Sequence, residues 1–371
     1  MKVLQIGKFY PVRGGVEKVM YDLMMGLSKR QIHCDMLCAT TEDQPAGVMP
    51  LNPYARLICV KTWKKLAATM IAPSMIFKLW RIKNEYDLIH IHHPDPMACM
   101  ALWLSGYKGK VVLHWHSDIL KQKLLLRLYL PFQRWMVRRA DLIVGTTPVY
   151  VVESPDLQAV QPKTGFVPIG IDPVKPDNEK AKEIRKKYGN RKIIFSLGRL
   201  VEYKGYEYLI KAASHLSDEY VILIGGGGPL KAELSALITS LGVEKRVELL
   251  GFVPDKALPA YYTACDLFCL SSIFKTEAFA IVQIEAMSCG KPVISTRIPG
   301  SGVSWVNADG VSGFTVEPNS GDALAEAIKK ALADEETYNG LAQGAHYRYQ
   351  ELFTEQKMLE ACLSAYKQVL K

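Results

Sequence analysis

The sequence contains no uninterrupted run of about 18 apolar residues, the length that a membrane-spanning helix requires. Its opening segment, Met1–Gly7, has one cation and an apolar run too short for a secretory signal, and it is more typical of a first buried strand. We therefore expect a cytosolic protein without a membrane span.

Paired metal-binding cysteines are also missing, since no Cys-x2-Cys pair occurs. Eight cysteines are present, but Cys34 and Cys38, like Cys265 and Cys269, fall in apolar, strand-like runs. In such runs cysteine acts as a small hydrophobic residue, and a cytosolic chain keeps its thiols reduced. We expect neither a disulfide framework nor a zinc site built on thiolates.

The net charge of +9 is unevenly distributed, because residues 1–170 alone carry +10. Two segments, Lys61–Lys83 and Lys121–Arg139, each hold six cations among bulky apolar residues and no acidic residue. Basic amphipathic helices of this kind favour an anionic membrane surface over nucleic acid, for which no reader motif is present. The alternative is that the apolar residues pack on the domain core while the lysines are solvated.

The 371 residues are too many for one ordinary core and indicate two domains. Short apolar runs alternate with helical patterns in both halves, which predicts parallel sheets covered by helices. Strands are predicted at 3–6, 34–39, 56–60, 88–92, 111–114, 142–145 and 166–169, and then at 192–197, 221–225, 247–250, 267–270 and 292–295.

Residues 170–178 contain two prolines and lack the periodic apolar pattern of a helix or a strand, which predicts the boundary between the two domains there. We assign residues 1–172 to a first Rossmann-like domain, 173–352 to a second, and 353–371 to a helix that returns to the first. Tandem sheets of this type place ligand sites at the carboxyl ends of their strands, and we expect the two sites to face one another across a cleft.

A basic pair follows the first strand of the second domain. Arg199 and Lys204 lie beside Gly198 and Gly205, at a turn that opens a helix. Cations next to a helix N-terminus suit a diphosphate. Taken alone, such a pair is also common on solvated surfaces.

An acidic pair follows the strand predicted at 267–270. If a helix begins at Glu277, Glu285 lies just over two turns further on and points to the same face. Two carboxylates on one face can bind sugar hydroxyls and a ribose. A glutamate at a helix start also stabilises the helix dipole without any further role.

The combination of Arg199-x4-Lys204, Glu277-x7-Glu285, Gly14-Gly15 and His116 resembles the retaining glycosyltransferase family 4, with the GT-B fold, over essentially the whole chain. The resemblance implies catalytic roles for Glu277, His116, Arg199 and Lys204. It also implies a donor site formed by Gly15, Arg199, Lys204, Phe279, Ala280, Ile281 and Glu285, and an acceptor side formed by Gly14, Gly15 and Asp118. The family usually has glycine where this chain has Ala280, so the methyl group is expected to narrow the donor pocket.

The resemblance further implies transfer of a hexose, such as mannose from GDP-mannose, to a lipid-linked saccharide in bacterial O-antigen or capsule synthesis. The nucleotide-diphosphate sugar is the donor, and no metal cofactor is expected because the chain contains no Asp-x-Asp. The enzyme would work as a peripheral protein on the inner face of the cytoplasmic membrane.

Two rival hypotheses remain open at this point. His90, His92, His114 and His116 end two predicted strands with the His-x-His spacing of a zinc hydrolase site. A non-catalytic protein that binds a sugar nucleotide is the other. The glycines at 225–228 do not complete a dinucleotide fingerprint, because Leu230 occupies its last position, and they predict a tight turn.

Overall fold

The structure is a computed structural model that describes residues 1–12, 14–41, 44–66, 69–120 and 123–371. The chain forms two compact units. The first comprises residues 1–169 and 355–371, and the second comprises residues 170–354. Lys121, the first residue of one predicted basic segment, lies outside the described residues.

The first unit is built on an eight-stranded sheet with the order β10-β9-β8-β7-β1-β2-β4-β3. All neighbouring strands are parallel except the edge strand β3, which runs antiparallel to β4, and a separate hairpin is formed by β5 and β6. The strands are β1 Lys2–Tyr10, β2 His33–Thr40, β3 Gly47–Asn52, β4 Ala55–Val60, β5 Lys64–Leu66, β6 Thr69–Ile71, β7 Leu88–His93, β8 Lys110–Trp115, β9 Leu142–Gly145 and β10 Thr164–Phe166.

Helices cover this sheet and begin where the local sequence provides caps. The side chain of Asp95 accepts a hydrogen bond from the amide of Ala98, and Pro96 occupies the first turn of α3, where a missing N–H costs nothing. Thr147 caps α5 in the same way. The helices are α1 Gly15–Lys29, α2 Ser74–Ile82, α3 Pro96–Ser105, α4 Lys123–Arg139 and α5 Pro148–Glu153.

The second unit has a six-stranded, fully parallel sheet with the order β13-β12-β11-β14-β15-β16. Its first strand in the chain lies centrally, and the order reverses between β11 and β14. Ligands of doubly wound sheets bind outside the carboxyl ends of the strands at such a reversal. The strands are β11 Lys192–Leu197, β12 Tyr220–Gly225, β13 Val247–Gly251, β14 Leu267–Leu270, β15 Val293–Thr296 and β16 Gly313–Val316.

Branched and aromatic residues of β11, β12 and β14 fill the core of this unit against α7 and α12. The helices are α6 Asn178–Tyr188, α7 Tyr206–Ala212, α8 Lys231–Ser240, α9 Leu258–Ala264, α10 Ile281–Ser288, α11 Val303–Val306, α12 Gly321–Ala331 and α13 Glu335–Leu352. Between β12 and α8, glycines approach neighbouring backbone closely. A Cβ on Gly226 would lie 1.9 Å from the carbonyl oxygen of Gly198, so the glycine run forms a tight turn.

The last helix, α14 (Glu355–Leu370), belongs to the first unit. Gly26 of α1 allows the close approach, since a Cβ there would come within 2.6 Å of Leu359. The hydroxyl of Tyr366 lies 2.7 Å from Nδ1 of His90 in the sheet.

Several predicted elements have other bounds in the structure, and the first strand, predicted at 3–6, extends over Lys2–Tyr10. The strand predicted at 166–169 forms at Thr164–Phe166, and the helix predicted to begin at Glu277 begins at Ile281.

Among the described residues, no helix combines the length and the apolar character that crossing a membrane demands.

Candidate active site

The predicted basic and acidic residues follow the two strands at which the second sheet reverses its order. Arg199 and Lys204 come after β11, and Glu277 comes after β14. Glu285 lies on α10, the helix that follows β14. The topology therefore brings them to the carboxyl edge of one sheet.

Lys204 and Glu277 form a direct ion pair although 73 residues separate them. The Nζ of Lys204 lies 2.5 Å from Oε2 of Glu277, and each side chain is about 10% exposed. Oε2 also accepts a hydrogen bond of 2.8 Å from the hydroxyl of Ser272. Burial lowers the pKa of Lys204, but the charges of Glu277 and Tyr203 outweigh it and raise that pKa above its ordinary value. The lysine is therefore a fixed cation.

Two glycines make this pairing sterically feasible. A Cβ on Gly198 would approach Cε of Lys204 to 3.1 Å and its Nζ to 3.3 Å. Gly205 has a φ of +61°, and a Cβ there would lie 2.2 Å from the carbonyl oxygen of Ser271. The basic turn can thus lie directly on the loop that follows β14, which carries Glu277.

Arg199 is placed differently from Lys204. It is exposed, and its guanidinium pairs with no carboxylate among the residues that the structure describes. Burial raises the pKa of the neighbouring Tyr203, while the charges of Lys204 and Arg199 oppose that rise. The site thus offers one neutralised, buried cation and one cation open to solvent.

Glu277 does not lie on the helix with Glu285, which corrects the predicted geometry. Its amide donates to the carbonyl oxygen of Phe274 in a turn, and Glu285 is the fifth residue of α10. The hydroxyl of Tyr262 donates a hydrogen bond of 2.6 Å to Oε2 of Glu285 and fixes that carboxylate. Burial raises the pKa of Tyr262 far above its usual range, so the tyrosine remains a donor.

Ala280 precedes α10 in a left-handed conformation, with φ 62° and ψ 81°. This conformation costs a residue with a Cβ roughly 1–2 kcal/mol, and glycine adopts it freely. Phe279 beside it is buried, and its carbonyl oxygen accepts a hydrogen bond of 3.0 Å from Nε2 of Gln283. Ile281 begins the helix, so its amide is one of those that the helix itself leaves without a partner.

Sequence reasoning missed the side chains that hold this loop. Ser301 donates from its hydroxyl to the carbonyl oxygen of Glu277, and the amide of Gly302 donates to that of Ala278 at 3.0 Å. Ser272 and Tyr262 were missed as well. Single serine and tyrosine residues form no recognisable motif. The available signal for Ser272 was its position two residues after the strand that ends at Leu270.

In the first unit, Gly14 and Gly15 lie at the carboxyl end of β1, at the start of α1. Both have positive φ, 117° and 59°, which favours glycine. A Cβ on Gly14 would meet nothing within 4 Å among the described atoms. The surface above this turn is therefore open to a ligand.

His116 and Asp118 follow β8, on the same edge of the first sheet. His116 is buried, and its Nε2 lies 2.9 Å from Nδ1 of His92. Burial, reinforced by His114 and Lys8, lowers the pKa of His116 well below its usual range, so the ring is neutral. Asp118 accepts hydrogen bonds from Nε1 of Trp115 at 2.8 Å and from the hydroxyl of Ser154 at 2.7 Å.

The histidines of the zinc hypothesis form a stack inside the first sheet. Ring nitrogens of His90, His92 and His114 lie within 4.8 Å of one another, and all three side chains are buried. The rings of His90 and His114 are parallel to within 4°, so their lone pairs do not converge on one point. His92 uses both nitrogens in hydrogen bonds, to His116 and to Oε1 of Gln5 at 2.8 Å. Nε2 of His90 and both ring nitrogens of His114 have no hydrogen-bond partner within the described part of the chain, so ring stacking is the main packing interaction of His114.

The chain contains two doubly wound units. In the second, a buried cation, a solvent-exposed cation and two oriented carboxylates lie where the strand order reverses. This combination is that of a glycosyltransferase of the GT-B fold. Solved structures of that fold match the whole chain. An Anabaena protein, Alr3699/HepE, in complex with UDP matches with a TM-score of 0.76 at 22% identity, over 99% of this chain and 100% of the other. WaaG, a glycosyltransferase of lipopolysaccharide biosynthesis, matches with a TM-score of 0.70 at 19% identity, over 97% and 98%.

Family models cover both units: residues 13–175 match Glycosyltransferase Family 4, and residues 177–347 match the glycosyl transferases group 1. An O-antigen chain mannosyltransferase C of Escherichia coli is 32% identical over 100% of this chain and 99% of its own length. The D-rhamnosyltransferase WbpZ of Pseudomonas aeruginosa is 30% identical over 95% and 92%. The chain belongs to this family of group 1 glycosyltransferases, which confirms the resemblance and gives the zinc hydrolase hypothesis no support.

Proposed function

We propose that the protein transfers a hexose from a nucleotide-diphosphate sugar to a lipid-linked saccharide, with retention of configuration, during synthesis of a bacterial surface polysaccharide. Mannose from GDP-mannose is the first candidate, because a full-length relative is an O-antigen chain mannosyltransferase. A second relative of similar coverage makes a deoxyhexose such as rhamnose the second candidate.

The buried pair of Lys204 and Glu277, beside the open cation Arg199, is the observation that carries the proposal. A departing nucleoside diphosphate is the group that most needs neutralising in sugar transfer. In this proposal Arg199 and Lys204 stabilise its charge as the glycosidic bond stretches, and preorganised donors of this kind contribute about 10²–10³ in rate each.

Glu285, held by Tyr262, binds the ribose of the donor, and Glu277 binds hydroxyls of the transferred sugar. In the second unit the amides at 279–281 bind the donor. In the first unit, Gly14, Gly15 and Asp118 bind the acceptor, and His116 acts as a neutral ring. Oε2 of Glu277 is engaged by Lys204 and Ser272, which supports a role for this group as an oriented, binding carboxylate.

The proposed scheme involves no metal ion, because Arg199 and Lys204 are assigned the task of balancing the charge of the diphosphate. The basic segments of the first unit hold the enzyme on the anionic inner face of the cytoplasmic membrane, where a lipid-linked acceptor is presented.

The test begins with a thermal-shift panel of GDP, UDP, dTDP and ADP sugars. A donor at 100 times its dissociation constant adds about 2.7 kcal/mol of stability. Transfer is then measured for Arg199→Ala, Lys204→Ala and Glu277→Ala, with Lys211→Ala as a control for loss of a lysine on α7. Each site variant is expected to lose at least about a hundredfold in turnover. Near-normal transfer by all three variants would refute the proposal. A sugar nucleotide that stabilises the protein but is never turned over would favour the hypothesis of a non-catalytic binding protein.

A further inference from the structure

The first unit contains an apolar groove of about 260 Å³ that the donor site does not use. Its walls come from the β5–β6 hairpin, from α3 and α4, and from the segment after β8. They are apolar apart from one threonine and one tyrosine, and they include Leu66, Ile71, Met100, Ile119, Leu128 and Phe132.

The groove lies at the edge of the sheet where the proposed acceptor residues are found. Pro96, in its wall, directly follows Asp95 and the end of β7. Ile119 directly follows Asp118 and lies three residues beyond His116. A molecule in the groove would therefore have one end close to these side chains.

Several apolar side chains at the mouth of the groove are exposed to solvent and are not packed into the core. Leu128 is 70% exposed and Leu66 is 48% exposed, while Trp63, just before the hairpin, is 79% exposed. Contiguous exposed apolar surface in a folded protein marks a binding site for an apolar partner.

The exposed charges that the two basic segments bring to the groove are all positive, whereas the carboxylates of Asp95 and Asp118 at its inner end are buried. Lys64 and Lys65 on the hairpin and Arg127 on α4 are exposed, and neither 61–83 nor 121–139 contains an acidic residue. An apolar slot with a basic rim complements a hydrocarbon chain that ends in an anion. It does not complement a peptide with mixed charges or a cationic amphiphile.

We propose that this groove binds the hydrocarbon chain of the acceptor's lipid anchor next to its phosphate. The proposal rests on the function proposed above for the identity of the acceptor, and it adds a binding site for the lipid part. Each methylene group that enters the groove raises affinity about fourfold, until the groove is full.

The first experiment measures calorimetric binding of butyl, octyl and dodecyl phosphate to the full chain, below their micelle concentrations. We expect the dissociation constant to fall at least tenfold from butyl to octyl phosphate. The double variant Leu66→Gln/Leu128→Gln should weaken octyl phosphate binding at least tenfold and leave butyl phosphate unchanged. Both side chains are substantially exposed, so the variant retains its fold.

Val152→Gln is the matched control, since Val152 is 59% exposed in the same unit and lies outside the groove. Octyl phosphate that binds equally well to the groove variant and to wild type overturns the proposal. So does octyltrimethylammonium that binds as tightly as octyl phosphate, because the basic rim would then have no role.

A diazirine-bearing alkyl phosphate locates the bound chain directly. Crosslinks are expected in peptides that contain 64–66, 69–71 or 126–132, and crosslinks confined to α2 or to the second unit overturn the assignment. None of these measurements involves a donor sugar. A protein that binds alkyl phosphates in the groove but turns over no sugar nucleotide would end the proposed function and leave the groove assignment standing.

Discussion

The Nζ of Lys204 lies 2.5 Å from Oε2 of Glu277, so the cation proposed to bind the donor diphosphate is already neutralised by a carboxylate. An incoming diphosphate must share this lysine with Glu277. Because both groups are about 90% buried, little solvent screens the competition between the two anions.

Replacing Glu277 with Gln should therefore separate binding from catalysis. Without the competing carboxylate, Lys204 carries a full positive charge toward the ligand, and we expect the nucleoside diphosphate to bind about tenfold more tightly, which corresponds to roughly 1.4 kcal/mol. Turnover should fall at least about a hundredfold, because the proposed contact to the sugar is altered. Calorimetric titration and a transfer assay measure the two effects. Glu233→Gln, on the surface of α8, controls for the loss of a negative charge. Weaker nucleotide binding in E277Q would contradict this account of the pair.

The conformation of Ala280 makes a prediction about stability. Its φ of 62° is strained for a residue with a Cβ, so Ala280→Gly should stabilise the protein by up to about 1 kcal/mol in spite of the added backbone entropy of glycine. Chemical denaturation measures the change. Ala278→Gly in the same loop is the control, because Ala278 has no positive φ and the entropic cost of glycine is then uncompensated. Equal destabilisation by both variants would show that the left-handed conformation is not strained.

The placement of the proposed donor-binding residues was predictable because the apolar pattern of β11 and β14 is clear. Both strands are short, buried and apolar, and both end at the same edge of a parallel sheet, so the loops after them converge. That inference required no knowledge of side-chain contacts. It placed Arg199, Lys204 and Glu277 at one edge of the second sheet.

The start of α10 was not predictable from local signals. Glutamate is favoured in a first helical turn, which pointed to Glu277. The helix instead begins at Ile281, because Lys204, Ser272 and Ser301 hold Glu277 in a turn. Lys204 and Ser301 lie in other loops, 73 and 24 residues away, and only Ser272 lies in the same loop, five residues before Glu277. The hairpin of β5 and β6 was missed for a different reason, since its short strands are not buried and show no apolar alternation.

We expect the stacked histidines of the first unit to make the protein sensitive to acid. Burial lowers the pKa of His114 to about 3 and lowers those of His90, His92, His93 and His116 well below the ordinary value of 6.5. Between these values the unfolded chain binds more protons than the folded chain does. Stability is therefore fully present above pH 6.5 and is lost as the pH falls below it.

Each histidine that stays neutral in the folded state should contribute a slope of about 1.4 kcal/mol per pH unit below pH 6.5. We expect His114→Phe to reduce the loss of stability between pH 6.5 and pH 5 by about 2 kcal/mol. Neither ring nitrogen of His114 has a hydrogen-bond partner within the described part of the chain, so the substitution sacrifices no such bond. Urea denaturation at several pH values tests this, with the exposed His33→Gln as control. An unchanged pH slope in H114F would show that His114 is already protonated in the folded protein or accessible to water.

The proposed membrane association, finally, depends on the basic, aromatic surface of the first unit. We expect vesicles with 30% anionic lipid to bind the protein, and vesicles of neutral lipid to bind it at least tenfold less. Each lysine near such a surface contributes about 1 kcal/mol, so Lys64→Gln/Lys65→Gln should weaken binding roughly thirtyfold. Lys182→Gln/Lys186→Gln on α6 removes the same charge from the second unit and should have little effect.

Raising the salt concentration from 0.1 M to 1 M shortens the screening length from about 10 Å to about 3 Å and should release the protein if attraction to charge dominates. Binding that survives both the lysine substitutions and high salt would mean that Trp63, Phe77 and Trp80, all exposed on this surface, insert deeply enough to hold the protein without help from charge.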